Sequence, residues 1–410
     1  MSARPDTQAF ASKLDQPTTT HLSSGLIFLM ASSVGLAVAS LYYAQPLLGL
    51  LLDAGLASNA EISWIPTLTQ IGYALGIFFL APLGDRYNRK QIILSKGIIL
   101  CLALLLMASS RQLTSLLLAS LLIGISATLA QDLVPAAASL APANQRGKVV
   151  GTVMTGLLLG ILLSRVVSGV VAHYAGWPTV FYLAAAGIAI SLIALHQRLP
   201  DFAASSDLSY SRLLLSTLNL LKQHRPLVLA AATQGLLQIG FSAFWSSLAL
   251  LLQSPGYQLN SMIAGAFGLA GAAGALAAPW AGKYADRLGP VRIARIGCWL
   301  TAASFLVMLA ADFSSLPLAI LILIITAIGF DMGVQIALIA HQTLIYSLDP
   351  EARSRLNAIL LSAMFIGMAL GSSLGGYLLG RFGNQALPAL GLVAALLACV
   401  LRSLKQRRTD

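Results

Sequence analysis

The segment Ala81-Pro82-Leu83-Gly84-Asp85-Arg86-Tyr87-Asn88-Arg89-Lys90 lies between two long apolar runs and concentrates an acid and three bases. Its Asn88 falls where a tight turn favours a residue that tolerates left-handed dihedral angles. A second version of the segment follows about 200 residues later: Gly282-Lys283-Tyr284-Ala285-Asp286-Arg287-Leu288-Gly289-Pro290-Val291-Arg292. Two charged turns of one design, each between apolar runs, predict a duplicated membrane protein.

The composition agrees with this prediction. Of the 410 residues, 57% are hydrophobic and only 10% are charged, whereas a soluble protein carries roughly 25% charged residues. Because a membrane span needs about 20 apolar residues, the uncharged runs predict twelve helical spans, at 22–50, 61–83, 91–109, 112–140, 146–172, 177–196, 226–252, 258–281, 291–311, 316–347, 354–379 and 383–402. The predicted fold class is an all-α membrane protein of two pseudo-symmetric six-helix bundles, with a tail at 1–21, bundles at 22–196 and 226–402, a linker at 197–225 and a tail at 403–410.

The basic residues predict the orientation of these spans. With the twelve spans assigned, 22 of the 25 Lys and Arg residues, Lys96 among them, are counted with the loops and tails on the side that holds both chain ends. The positive-inside rule places that side in the cytoplasm, so the net charge of +11 reflects topology and not a nucleic-acid partner. We expect a multi-pass protein of the bacterial inner membrane, without a removable signal peptide. Cys101, Cys298 and Cys399 fall in predicted spans and are interpreted as packing residues.

The two charged turns resemble the signature loops of the major facilitator superfamily, which follow its second and eighth helices. The family pattern is a Gly, three residues, Asp-Arg, one residue, a second Gly and two bases. This chain has Ala81 and Asn88 in place of the two glycines of the first turn, and Pro290 in place of a base in the second. The resemblance implies twelve helices, no cofactor, and transport rather than catalysis.

The fifth predicted span resembles the corresponding signature of bacterial drug:proton antiporters. The family has Gly-Pro and Gly-Gly where this chain has Ser164-Arg165 and Ser168-Gly169. The small residues survive and allow close helix packing, but the Pro has become a cation. The arginine that such antiporters often carry in span four is also missing, since its position here is Ser120.

Three charges are predicted to lie deep in the membrane: Asp132, Arg165 and Asp331. A charge there costs about 2.5–3.5 kcal/mol on insertion scales, so each one requires a reason. A direct Asp132–Arg165 pair is rejected, because helix rise separates their depths by about 16 Å. Low dielectric disfavours an ionised carboxyl, which makes Asp331 the main candidate for proton coupling and Asp132 the second. Arg165 either binds substrate or extends to the membrane surface.

Polar and aromatic stripes on other spans predict a substrate cavity, with interhelical hydrogen bonding as the alternative. Asp331 shares a helix face with three further residues, and four residues of span seven share another face. The predicted cavity residues are Tyr42, Tyr43, Gln70, Tyr73, Arg165, Gln234, Gln238, Phe241, Trp245, Gln335, Gln342 and Tyr346. For the tyrosines of span one, an interfacial aromatic belt is an equal alternative. His341 lies off the stripe, and packing is favoured over proton transfer there.

The charged turns are interpreted as gates, because an acid and bases at a helix end can latch neighbouring spans in one access state. The predicted gate residues are Asp85, Arg86, Arg89, Lys90, Asp286, Arg287 and Arg292. No nucleotide motif or metal cluster is recognisable, so the prediction is a secondary transporter, monomeric and not an enzyme. The preferred function is proton-coupled efflux of small organic or drug-like molecules. The alternatives are proton-coupled transport of a small organic anion or sugar, and, in another class, a receptor or channel.

Overall fold

The structure, a computed structural model, describes residues 23–56, 58, 61–142, 144–202, 209–254, 256–349 and 352–403, apart from the side chains of residues 85, 272–276, 278 and 279. The N-terminal tail, most of the C-terminal tail and part of the linker therefore lie outside it. The helices of the first half are α1 Ser24–Ala39, α2 Leu48–Asp53, α3 Trp64–Leu75, α4 Leu83–Arg86, α5 Arg89–Ser109, α6 Leu113–Ala127, α7 Leu129–Leu140, α8 Arg146–Ala175 and α9 Trp177–Arg198. Linker helix α10 Tyr210–Gln223 precedes α11 Arg225–Gln253, α12 Ser261–Ala266, α13 Ala272–Leu288, α14 Pro290–Met308, α15 Leu316–Tyr346, α16 Arg353–Phe382 and α17 Ala386–Ser403.

Nine helical segments in the described part of the chain are long and apolar enough to cross a membrane. Predicted spans one, two and eight coincide with shorter apolar helices, Ser24–Ala39, Trp64–Leu80 and Ser261–Gly271. Their interruptions have local causes: Pro46 stands where α1 gives way to α2, and glycines cluster in the 3-10 turn Phe267–Gly271 between α12 and α13. The count of twelve spans thus stays a prediction, while the all-helical class holds for every described segment.

Close glycine contacts repeat in the two halves. In the first half, a Cβ at Gly35 would lie 2.6 Å from the carbonyl oxygen of Gly156, and Gly160 packs on the Gly35 backbone. In the second half, Gly367 packs on the backbone of Gly235 in the same way. Only residues without a side chain permit such parallel backbone contacts. Gly160 and Gly367 are therefore structurally equivalent, at the sequence offset of 207 that the repeat predicts.

The two halves are in contact at the end of the bundle opposite the chain ends. There, a Cβ at Gly169 of α8 would lie 2.7 Å from the carbonyl oxygen of Ser261, and Ser372 Oγ donates to the carbonyl of Ser63 at 3.3 Å. Toward the chain ends, the first turns of α8 are exposed, and a Cβ at Gly151 would meet no atom within 4 Å. Along α8, the described contacts with the second half thus lie in its last part.

Candidate functional site

Arg165 lies at the centre of the bundle, on α8, and only 3% of its surface is exposed. Its guanidinium lies 4.8 Å from the ring centroid of Tyr42 and 4.4 Å from that of Trp245. Its Nε donates to Oε1 of Gln45 at 3.0 Å. Tyr42 and Gln45 both belong to the break between α1 and α2, where Pro46 follows. Arg165 is therefore held inside the protein and does not extend to the membrane surface.

Asp331 on α15 lies at the edge of the same indole, whereas Arg165 lies over the ring. Trp245 Nε1 donates to Asp331 Oδ1 at 3.1 Å, and 7% of the Asp331 surface is exposed. Arg165 and Asp331 therefore both contact the Trp245 side chain. The indole thus connects a buried cation of the first half to a buried acid of the second, and sequence analysis had named all three residues without pairing them.

The 3-10 turn Phe267–Gly271 brings backbone against both residues. A Cβ at Gly268 would lie 3.0 Å from Cβ of Arg165, and a Cβ at Gly271 would lie 3.2 Å from Oδ2 of Asp331. Irregular backbone at membrane depth is tolerated where it is buried in protein or lines a cavity. Transporter sites commonly use such broken helices. The glycine run of span eight was the signal for this turn in the sequence, and it was missed.

Around this pair, several buried polar atoms lack a hydrogen-bond partner among the described residues. They include Nη2 of Arg165, Nε2 of Gln45 and Oε1 of Gln238. Buried polar groups are normally bonded, so each exception requires an explanation. Two of these atoms are donors that belong to residues already in contact with each other.

The aromatic lining of the site comes from α11 and α15. Phe241 packs against Trp245 at a centroid distance of 6.4 Å and against Phe330 at 6.2 Å. Phe330 also stacks on Phe305 at 5.0 Å, with 7° between the ring planes. Tyr43, predicted as a cavity residue beside Tyr42, is buried. The centre of the bundle is therefore lined mainly by aromatic side chains and contains few polar groups.

Gln70 and Tyr73 of α3 join the two halves. Gln70 Nε2 donates to Ser242 Oγ of α11 at 3.2 Å. The Tyr73 ring lies 4.4 Å from that of Phe365 on α16, and its hydroxyl accepts from Gln131 Nε2 at 3.0 Å. These two residues, predicted to line a cavity, thus form an interface between the halves. Interhelical hydrogen bonding was the alternative to a cavity in the sequence analysis.

The stripe predicted along α15 divides into separate contacts. Gln342 Nε2 donates to Asn357 Oδ1 of α16 at 3.2 Å, and the carbonyl of Tyr346 accepts from Arg353 Nε at 3.2 Å. Gln335 is half-buried. These residues pair with α16 or lie toward the chain-end side, so the structure does not gather the whole stripe around Asp331.

A second polar cluster lies on α11 and α15. Gln234 Oε1 lies 3.0 Å from Nδ1 of His341, and its Nε2 donates to the carbonyl of Val334 at 3.5 Å. His341 is fully buried, as the packing interpretation predicted. Gln234 is thus engaged in a bond between two helices. Gln238 lies one turn further along α11, toward Trp245, and its Oε1 lacks a partner among the described residues.

Asp132 of α7 lies elsewhere, paired with Lys96 of α5. Lys96 Nζ lies 2.6 Å from Asp132 Oδ2, and both residues are buried. The rejection of an Asp132–Arg165 pair is therefore supported, but grouping Lys96 with the loop bases was wrong. Lys96 lies six residues inside predicted span three, and an acid buried in the neighbouring span was the signal for it. The Cβ position of Gly84 is 3.3 Å from both Asp132 Oδ1 and Arg89 Nε, so this pair lies beside the first charged turn.

The first charged turn is built differently from the prediction. Asn88 has φ −57°, outside the left-handed region, because its side chain caps α5 by accepting from the Lys90 amide at 3.0 Å. Its Nδ2 also donates to Asp201 of the linker at 2.7 Å. Gly289 of the second turn does adopt a left-handed φ of 87°. The two turns match in sequence but not in backbone conformation.

The gate residues are only partly described. The side chain of Asp85 lies outside the described residues, and Arg86 lies over the Tyr87 ring at 5.6 Å. In the second turn, all three predicted gate residues are exposed: Asp286, Arg287 and Arg292. Their gating role stays a prediction.

Known proteins share this architecture. A bacterial homologue of the human lysosomal transporter Spinster, in an inward-facing and unoccupied conformation, superposes with a TM-score of 0.71 at 18% identity, covering 95% of this chain and 94% of that one. Escherichia coli O157:H7 has a relative described as the uncharacterized transporter YgaY, 42% identical over 352 residues, which are 86% of this chain and 88% of the relative. The multidrug resistance protein MdtG of Proteus mirabilis is 23% identical over 328 residues, 78% of this chain and 79% of its own length.

These similarities define a membrane transport protein built as a multi-pass helical bundle. The family model of the Major Facilitator Superfamily matches residues 22–348. The chain therefore belongs to the major facilitator superfamily, as the charged turns indicated. Its relatives are transporters and not enzymes.

Proposed function

We propose that this protein is a secondary transporter that carries a small organic anion together with a proton by alternating access. This is the alternative left open by sequence analysis. The main support for this proposal is the buried Arg165, whose guanidinium lies over the ring of Trp245. The indole nitrogen of Trp245 in turn donates a hydrogen bond to Asp331. In this assignment Asp331 carries the proton and Arg165 binds the anion.

Alternating access would act directly on this pair. Arg165 belongs to the first half, whereas Trp245 and Asp331 belong to the second. Rocking of one half against the other changes the distance between the two charges, and their interaction depends on that distance. The protonation state of Asp331 would therefore bias which access state is stable.

The second candidate is proton-coupled efflux of drug-like molecules, the preferred function in the sequence analysis. A relative named as a multidrug resistance protein and the aromatic lining of Tyr42, Phe241, Trp245 and Phe330 favour it. A permanent cation in the site opposes it for positively charged drugs, because like charges repel strongly in a low-dielectric interior.

The proposal retains a monomer with twelve spans in a bacterial inner membrane, both termini cytoplasmic and the charged turns as gates. One assignment changes. Because Asp132 pairs with Lys96 beside Arg89 and Gly84, we assign it to the first gate and not to proton coupling.

The experiment is flux into proteoliposomes with and without an imposed pH gradient. The labelled solutes are benzenesulfonate, benzenesulfonamide, phenyltrimethylammonium and a hexose, which separate an anion, a neutral analogue, a cation and a sugar. We expect uphill accumulation of the anion alone, and only with the gradient. Gradient-driven movement of the cation would favour drug efflux instead, and flux that never becomes uphill would indicate a channel.

A further inference from the structure

We infer that Arg165 and Gln45 form the anion-binding subsite, and that binding of a small aromatic monoanion there and protonation of Asp331 promote each other. This inference rests on the proposed function and fixes the sign of its coupling. Proton and substrate bind together in one cavity.

Arg165 and Gln45 present two buried hydrogen-bond donors that a ligand could use. Arg165 Nε donates to Gln45 Oε1 at 3.0 Å, and this bond orients the amide. Nε2 of Gln45 and Nη2 of Arg165 are buried and lack a partner among the described residues. A buried donor left unsatisfied is unfavourable. A ligand with two acceptor oxygens would satisfy both.

The guanidinium of Arg165 has a fixed position and a permanent charge. Tyr42 and Trp245 lie against it, and such desolvated cation–π contacts are stabilising. The buried Nη2 of the guanidinium is left available to donate a hydrogen bond. Arginine stays protonated in proteins, so this subsite keeps its positive charge throughout a transport cycle.

The net charge of the site depends on whether Asp331 is protonated. Among the described residues, the charged or titratable groups that act on Asp331 are Arg165 of α8 and Tyr42 of the α1–α2 break, while Trp245 and Gly271 face it as uncharged groups. With Asp331 ionised, it neutralises Arg165, and an arriving anion would add an uncompensated charge. With Asp331 protonated, Arg165 is uncompensated, and the anion restores neutrality. Unpaired buried charges are strongly unfavourable, so proton and anion stabilise each other in the site.

Reciprocity then gives a measurable consequence. If an anion promotes protonation of Asp331, lower pH must raise the affinity for that anion. For one linked proton, the Kd increases about tenfold for each pH unit above the range in which Asp331 titrates. A cation in the same site would show the opposite dependence.

The test is equilibrium binding to the purified full-length protein by titration calorimetry. Benzenesulfonate is the probe, and benzenesulfonamide and phenyltrimethylammonium are the neutral and cationic controls. The charges of benzenesulfonate and phenyltrimethylammonium do not change with pH, so any pH dependence of their binding reports on the protein. We expect binding of the anion alone, with a Kd that rises with pH and with one proton taken up per anion, measured in buffers of different ionisation enthalpy.

Three variants assign the effect to residues. Arg165→Lys and Gln45→Leu should each weaken binding at least about tenfold, because Lys lacks the planar fork and Leu lacks the donor. Asp331→Asn should bind with high affinity at every pH. Gln385→Leu, which removes an amide bonded to the carbonyl of Leu309 far from the site, is the matched control and should bind as the unaltered protein does.

Four results would each overturn the inference. They are no anion binding at millimolar concentration, equal binding of the neutral analogue, weaker binding at lower pH, and unchanged affinity in both Arg165→Lys and Gln45→Leu. The proposed function fails separately. Charge-selective binding with the expected pH dependence but without gradient-driven flux would reject proton-coupled transport and leave the subsite standing.

Discussion

Asp331→Asn is expected to abolish uphill transport while substrate exchange continues at a rate comparable with that of the unaltered protein. Asn mimics the protonated carboxyl, so the site can still bind its anion, but it cannot release a proton to the other side. The Trp245 indole keeps an oxygen acceptor at this position, which preserves the local packing. Gradient-driven accumulation and counterflow exchange in proteoliposomes measure the two activities separately.

The controls for this prediction are Asp312→Asn and Asp132→Asn. Asp312 lies in the exposed turn Ala311–Phe313, outside the site, and its variant should transport normally. If uphill transport survives in Asp331→Asn but is lost in a stably folded Asp132→Asn protein, the proton-carrying role moves to Asp132. Survival in both variants would remove a mechanism based on a single carboxyl.

Breaking the Lys96–Asp132 pair is expected to be among the most destabilising single changes. The two groups lie 2.6 Å apart and are both buried. Removing Asp132 leaves the Lys96 ammonium buried without its carboxylate, which costs about 3–5 kcal/mol in comparable buried pairs. Asp132→Leu should therefore lower the thermal unfolding midpoint markedly, measured on purified protein in one detergent with Lys96→Met alongside.

The double variant provides the control for the pair. Replacing a buried ion pair by apolar residues of similar volume is often neutral, so Lys96→Met/Asp132→Leu should recover much of the lost stability. Asp286 is exposed, so Asp286→Leu should change the midpoint little. Additive losses in the double variant would show that the two residues act independently and that the pair does not hold α5 to α7.

Much of the fold could be predicted from the sequence because membrane insertion constrains composition so strongly. Charge-free runs, basic residues on one side and two similar charged turns sufficed to identify the superfamily. The equivalence of Gly160 and Gly367 also followed from the repeat, since only glycine allows those backbones to touch. Interruptions were harder to predict, because a 3-10 turn such as Phe267–Gly271 remains apolar in sequence.

The candidate site could be predicted as a set of residues but not as an arrangement. The cost of a buried charge identified Arg165 and Asp331, and helix rise placed Tyr42 near the depth of Arg165, which agrees with their contact. The Trp245 bridge depends on helix rotation and packing, which rise per residue does not give. Gln45 was missed because a polar residue before Pro46 is typical of an ordinary helix break.

Two errors have a common cause. Lys96 was grouped with loop bases and Asn88 was assigned a left-handed turn, because each was judged by its neighbours in sequence. In the structure, Lys96 is determined by Asp132 and Asn88 by the α5 amide and Asp201. Each position therefore has a partner distant in sequence, and Asn88 forms a local helix cap as well.

The most direct test of proton–anion coupling is the direction in which protons move with the anion. Proteoliposomes that enclose a fluorescent pH indicator would receive an inward gradient of benzenesulfonate, which has no membrane-permeant protonated form at neutral pH. The account predicts acidification of the interior, one proton entering with each anion, and its loss in Asp331→Asn. Alkalinisation of the interior, or entry of labelled benzenesulfonate without any change of internal pH, would contradict it.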